Sequence, residues 1–170
     1  MKVNIIDDNN IIVFLNKFNI RNIDFKNREN IEKHFRNIFL KLKHIYGLNI
    51  KGYYNINIYI DDYYGATLEI EHEDIEYFDY FETQVDMRVN VINDNNFLYK
   101  IKDIFMINKE ILKKIDIYTF KDEYYIKLKK EIDNYELGFI LESGELIYGD
   151  ITSDILKLGN KIILKWFGKH

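Results

Sequence analysis

The chain has 170 residues, a mass of 20.7 kDa, 47% hydrophobic residues and a formal net charge of -4 at pH 7. That apolar content excludes a disordered chain and suffices for the core of one domain or two small ones. The lack of cysteine excludes disulfides and thiolate metal sites, and no long apolar run points to export or membrane spanning, so a soluble cytoplasmic protein is expected.

The opening runs Val3–Ile6 and Ile11–Leu15 flank Asp7, Asp8, Asn9 and Asn10, residues that accept turn dihedrals and bond their own backbone, so a hairpin is expected. Lys17–Lys26 is a polar connection with Ile20, Ile23 and Phe25 turned inward. It leads to Arg28–Tyr46, where Ile31, Phe35, Ile38, Phe39, Leu42, Ile45 and Tyr46 form the stripe of a single helix face. Asn27 stands at the N-cap and Gly47 where the chain leaves through a left-handed residue. Tyr54, Ile56, Ile58 and Ile60 then alternate with polar neighbours at the period of a half-buried strand. Asp61–Gly65 turns the chain, and Thr67–Glu71 returns with Leu68 and Ile70 on one face. Residues 1–73 therefore read as a ββαββ subdomain, one antiparallel sheet with one main helix on one side.

Residues 74–84 form an acidic and aromatic connector too apolar for a free linker. Residues 85–170 read as a second subdomain, an antiparallel sheet with one or two short helices, so the expected class is α+β. Its strands are placed at Val85–Val91 and Phe97–Ile101. A helix capped by Asn108 carries Ile107, Ile111, Leu112 and Ile115. Hairpins follow at Ile117–Leu128 and at Leu137–Tyr148, the latter turning at Ser143 and Gly144. A turn or two of helix capped by Thr152 or Ser153 runs to Gly159, and Ile162–Phe167 closes as a strand.

Charge is banded along the chain. Lysine and arginine dominate Lys17–Lys51. From Gly52 to Tyr99 the single basic residue is Arg88, among Asp61, Asp62, Glu69, Glu71, Glu73, Asp74, Glu76, Asp79 and Glu82. Solvated surface charge explains most of this.

Catalytic signatures are missing. Ser143 and Ser153 lie in no nucleophile elbow, and no glycine loop cradles phosphate. His34, His44, His72 and His170 form no ligand pair, and the pairs Asp7 with Asp8 and Asp61 with Asp62 sit in turns. A noncatalytic protein without metal or cofactor is expected. Lys33, Arg36 and Lys43 share the outer helix face with Leu40, but a pI near 5.6 argues against nucleic acid and leaves Leu40 as a partner-contact candidate.

The opening hairpin around Asp7–Asn10, IIVFL at Ile11–Leu15, Ile23-Asp24-Phe25, IEKHFRNIF at Ile31–Phe39 and Gly65 leading to Leu68-Glu69-Ile70 resemble the N-terminal domain of MecA-type adaptors. FLYKIKDIFMINKEILKKI at Phe97–Ile115, IYTFKDEYYIKL at Ile117–Leu128 and ILKLGNKII at Ile155–Ile163 are similar to that family's C-terminal domain. The long acidic linker of the family is reduced here, and the helix expected between its second and third hairpins is missing or shortened. The resemblance implies that one half holds a client protein while the other engages a Clp-type AAA+ ATPase. On that basis Tyr77, Tyr80 and Phe81 are candidate partner-binding anchors, with Glu71, Glu73, Glu76 and Asp79 as their charged rim. The alternative is a small acidic inhibitor from a mobile element that mimics nucleic acid through the lysine-free band Gly52–Phe81.

Overall fold

The computed structural model describes residues 1–73, 85–92 and 96–163. Within them two compact units separate, the first holding residues 1–60, 65–73 and 85–92 and the second residues 61–64 and 96–163. The fold is α+β, with one five-stranded sheet in each unit.

The first unit contains β1 (Lys2–Ile5), β2 (Asn10–Asn16), the short α1 (Lys17–Ile20), α2 (Arg28–Tyr46), β3 (Gly52–Asp61), β4 (Gly65–Glu73) and β5 (Val85–Ile92). The sheet order is β1-β2-β4-β3-β5. β1 pairs antiparallel with β2, Val3 opposite Val13, and β2 with β4, Val13 opposite Leu68. The alternation read from the sequence sends Tyr54, Ile56, Ile58, Leu68, Ile70 and Met87 to one face, and Val13 and Leu15 of β2 join them in the core. There they meet Ile31, Phe35, Ile38, Phe39 and Leu42 of α2. The helix starts at Asn27, whose side chain accepts from the Asn30 amide, and stops at Gly47, whose φ of 66° is left-handed.

Gly65 answers a tighter need. Its φ is 129°, and a Cβ there would lie 2.1 Å from the Leu15 carbonyl oxygen, so only glycine lets β4 begin this close to β2.

Three expectations in this unit are corrected. Ile45 and Tyr46, assigned to the buried stripe, are 67% and 41% exposed: the buried face of α2 ends at Leu42. Val85–Ile92, expected to open the second subdomain, is the fifth strand of the first sheet. It lies parallel to β3, with Ile56 opposite Val89, so the sheet is mixed rather than antiparallel throughout. Alternation identifies a strand without naming its neighbour. On the face away from α2, Asn90 Nδ2 donates to Asn55 Oδ1 at 3.2 Å and Asn57 Oδ1 at 3.1 Å, tying β5 to β3.

The second unit contains β6 (Leu98–Ile101), a 3-10 turn (Ile104–Met106), α3 (Lys109–Leu112), β7 (Ile115–Phe120), β8 (Glu123–Leu128), α4 (Asn134–Ser143), β9 (Gly144–Ile147), α5 (Asp150–Leu158) and β10 (Asn160–Ile162). Its order is β10-β7-β8-β6-β9 with antiparallel pairings. The turn between β7 and β8 has Lys121 and Asp122 both at positive φ, the twist that a two-residue hairpin prefers. Leu98, Tyr118, Phe120, Tyr125 and Ile147 meet Ile155 and Leu156 of α5. The alternate residues Tyr99, Ile101, Ile115, Ile117, Ile126 and Leu128 are buried on the other face. The Tyr99 hydroxyl donates to the carbonyls of Leu141 and Gly144, which places the end of α4 there.

The expected strand at Leu137–Leu141 is therefore a correction: it is the middle of α4. A short apolar run cannot separate strand from helix, but Asp133 and Glu136 can. Their side chains cap each other's backbone amides, the reciprocal arrangement that opens a helix. Ile115 belongs to β7 and not to the stripe of α3, which ends at Leu112. Neither Thr152 nor Ser153 caps α5: it opens at Gly149, and the Thr152 hydroxyl donates back to the Gly149 carbonyl at 2.7 Å. Of the expected closing strand, Ile162 lies at the end of β10 and residues 164–167 lie outside the described residues.

Candidate protein-binding surface

Of the residues assigned to partner binding, Glu71 and Glu73 lie on β4, exposed, on the face of the first sheet away from α2. Glu69 shares that face, where the Tyr59 hydroxyl donates to its Oε2 at 3.0 Å. Glu76, Tyr77, Asp79, Tyr80 and Phe81 lie outside the described residues. The structure therefore brings two of the seven assigned residues together, on an open sheet face beside a groove of about 280 Å³ lined by Ile6, Ile12, Asn57 and Glu71.

A second surface, missed by sequence reasoning, runs where α2 lies alongside β5. At one end Arg36, Phe39, Leu40, Lys43, Ile50 and Val85 line a depression of about 300 Å³. At the other, Phe25, Arg28 and Ile31 face Met87–Val91 across one of about 400 Å³. The seam combines an apolar floor with a cationic rim. From Lys33 to Ile60 the chain has no acidic residue, and no carboxylate pairs with Lys33, Lys41 or Lys43 among the described residues. Leu40, the apolar residue singled out on the outer helix face, is 53% exposed at this rim. The signal was in the sequence, as the acid-free stretch, but the strand that forms the other wall was assigned to the wrong unit.

β5 ends the strand order, so among the described residues its outer edge pairs with nothing. Two of its main-chain groups mark which residues point outward. The Val85 carbonyl accepts from Arg36 Nη1 at 3.4 Å, and the Met87 amide donates to Asp86 Oδ1 at 2.8 Å. Alternation then turns the amides and carbonyls of Val89 and Val91 outward as well.

The remaining polar candidates serve the fold. Asp7 accepts from the Asn9 and Asn10 amides, both at 2.8 Å, and the Asn10 side chain, the first cause, holds its carboxyl below the usual range. Asp61 accepts from the amides of Tyr63 and Tyr64 with one oxygen and from Phe97 with the other. His34 Nδ1 lies 2.9 Å from the Asn30 carbonyl, and the Ser143 hydroxyl donates to the Phe139 carbonyl at 2.6 Å. Among the described residues no three His, Cys, Asp or Glu side chains converge on a metal-sized site, and no helix is long and apolar enough to cross a membrane. No family model, curated protein or solved structure matches the chain.

Proposed function

We propose that this chain is a noncatalytic protein-binding adaptor, similar to the MecA type, that presents client proteins to a Clp-type AAA+ ATPase in the cytoplasm. The observation that carries this reading is the seam between α2 and β5: a strand edge that pairs with nothing among the described residues, an apolar floor and a cationic rim in which Lys43 meets no carboxylate among the described residues are the parts of a peptide-recognition surface. Two features of the fold support it. The hairpin, helix, hairpin plan of the first unit follows the resemblance. In addition, α4 stands between the β7–β8 hairpin and β9, where the adaptors carry a helix that the sequence reading lacked. The first unit is then the client-holding half and the second the ATPase-facing half.

The test is nucleotide turnover by a Clp-type ATPase isolated from the source cytoplasm, with and without the chain. Stimulated turnover in the presence of a captured protein is the expected result; capture with no effect on any co-purified ATPase would sink the adaptor reading. A second reading has one observation in its favour. Glu69, Glu71 and Glu73 share the open face of β4 at intervals of about 7 Å, a repeating line of negative charge. An acidic mimic built on it would compete with DNA or RNA for a basic target, with steep dependence on salt.

A further inference from the structure

We propose that this chain assembles with copies of itself, the exposed Phe105 turn of one copy entering the acidic groove on the first sheet of the next. The inference is separate from the adaptor reading, which uses the α2–β5 seam.

The turn holds its side chains out on a fixed backbone. Phe105 is 90% exposed and Met106 66%. Beneath them the Phe105 amide donates to Asp103 Oδ1 at 2.8 Å and the Ile107 amide to the Ile104 carbonyl at 3.2 Å, while the buried Ile107 and Ile111 root the segment in the second unit. A ring presented on a rigid turn loses little freedom on binding, which suits an anchor residue. Lys102 and Lys109 flank it, both exposed and without a carboxylate partner among the described residues. Of the nearby acids, Asp103 is taken up by the turn itself and Glu110 by Lys113 at 2.8 Å. The tip is therefore apolar with a cationic rim. Tyr135 and Ile151, also exposed, stand instead between Asp133 and Glu136 and between Asp150 and Asp154.

The groove is the complement of that tip. Ile6 and Ile12 supply apolar wall, Glu69 and Glu71 the rim, and no lining residue is basic. Its volume of about 280 Å³ exceeds the roughly 150 Å³ that takes up a benzene ring, so a phenylalanine side chain fits. Glu71 is exposed and meets no lysine or arginine among the described residues. Like charge disfavours both symmetric pairings, since tip against tip opposes lysines and groove against groove opposes glutamates. The remaining arrangement is head-to-tail, which leaves a tip and a groove open at its ends and so extends into chains or rings. A lipid surface suits the tip less well. Two side chains bury less apolar surface than a myristoyl chain, which alone holds a protein to a membrane only marginally.

The experiment is sedimentation velocity on the full chain at concentrations up to about 0.5 mM, because a contact this small is a transient one. The wild type should gain mass with concentration and lose it as salt rises. Phe105→Ser and Glu71→Lys should each move the association roughly tenfold or more toward higher concentration. Both residues are exposed, so unchanged melting temperatures should show that the folds are intact. Mixed together, the two variants should form a dimer that grows no further, because the intact groove of one receives the intact tip of the other.

A wild type that stays monomeric throughout would overturn the proposal. Association unchanged in Phe105→Ser would place the contact elsewhere, and a mixture of the two variants that stays monomeric would mean that tip and groove do not meet. A monomeric wild type that binds vesicles of anionic lipid, with binding lost in Phe105→Ser, would replace the second copy by a membrane.

Discussion

Two tyrosines of the second unit show how one hydroxyl can be neutral or costly depending on what surrounds it. Tyr99 is 1% exposed and its hydroxyl donates to two carbonyls, whereas Tyr64, fully buried beside it with ring centroids 6.4 Å apart, has a hydroxyl without a protein partner. Removing an unsatisfied buried group relieves a desolvation cost, while removing a donor strands its acceptors. Tyr64→Phe should therefore stabilise the protein by about 1 kcal/mol and Tyr99→Phe destabilise it by roughly 1–3 kcal/mol, measured by urea unfolding. Desolvation, and after it the Glu145 charge, pushes the Tyr99 hydroxyl up to about 12. A raised value means that the folded state holds the proton more tightly. Its contribution is complete below pH 10 and is lost as pH climbs from 10 toward 12. Tyr99→Phe should flatten that alkaline loss.

Among elements, α4 shows what a cap decides. Its apolar residues Leu137, Phe139, Ile140 and Leu141 suit a strand as well as a helix, and Gly138 favours neither. The capping box at Asp133 and Glu136 fixes the start. Glu136 does more than cap, since it is 8% exposed and both its carboxylate oxygens accept from Lys114 Nζ at 2.8 Å, pinning α4 to the end of α3. Asp133→Ala should cost about 1 kcal/mol. Glu136→Ala should cost roughly 2 kcal/mol, because it removes the charge-assisted bonds together with half of the box. Chemical denaturation of the two variants gives the comparison, and equal losses would mean that Lys114 contributes nothing. In the first unit α2 lost only Ile45 and Tyr46 from its expected stripe. Its stripe from Ile31 to Leu42, its Asn27 cap and its Gly47 stop all agree, and a helix specified three ways is legible without its partners.

At the scale of the whole molecule, the bands of charge seen along the chain become faces of the first unit. The cations of α2 lie on one side of the sheet and Glu69, Glu71 and Glu73 on the other, with the apolar layer between them. Phe35, 1% exposed, is central to that layer. Phe35→Ala should cost about 3–5 kcal/mol. Urea unfolding should show the loss, and faster hydrogen exchange of the Val13 and Leu68 amides should locate it in this core. A small effect would mean that α2 is not the organising helix.

The sequence by itself determined what depends on near neighbours along the chain. Helix α2 with its caps, the turns at Asp7–Asn10 and Lys121–Glu123, the alternation of β3, β4 and β5 and the acid-free character of Lys33–Ile60 are local properties, set by period, turn chemistry and composition. Only the tertiary structure decided which sheet β5 joins, that it joins in parallel, and that its outer edge, unpaired among the described residues, lies beside the cations of α2. Strand pairing is a competition between distant segments of similar hydrophobicity. Its outcome rests on register and burial summed over the assembled layer, and no window of the chain contains that sum.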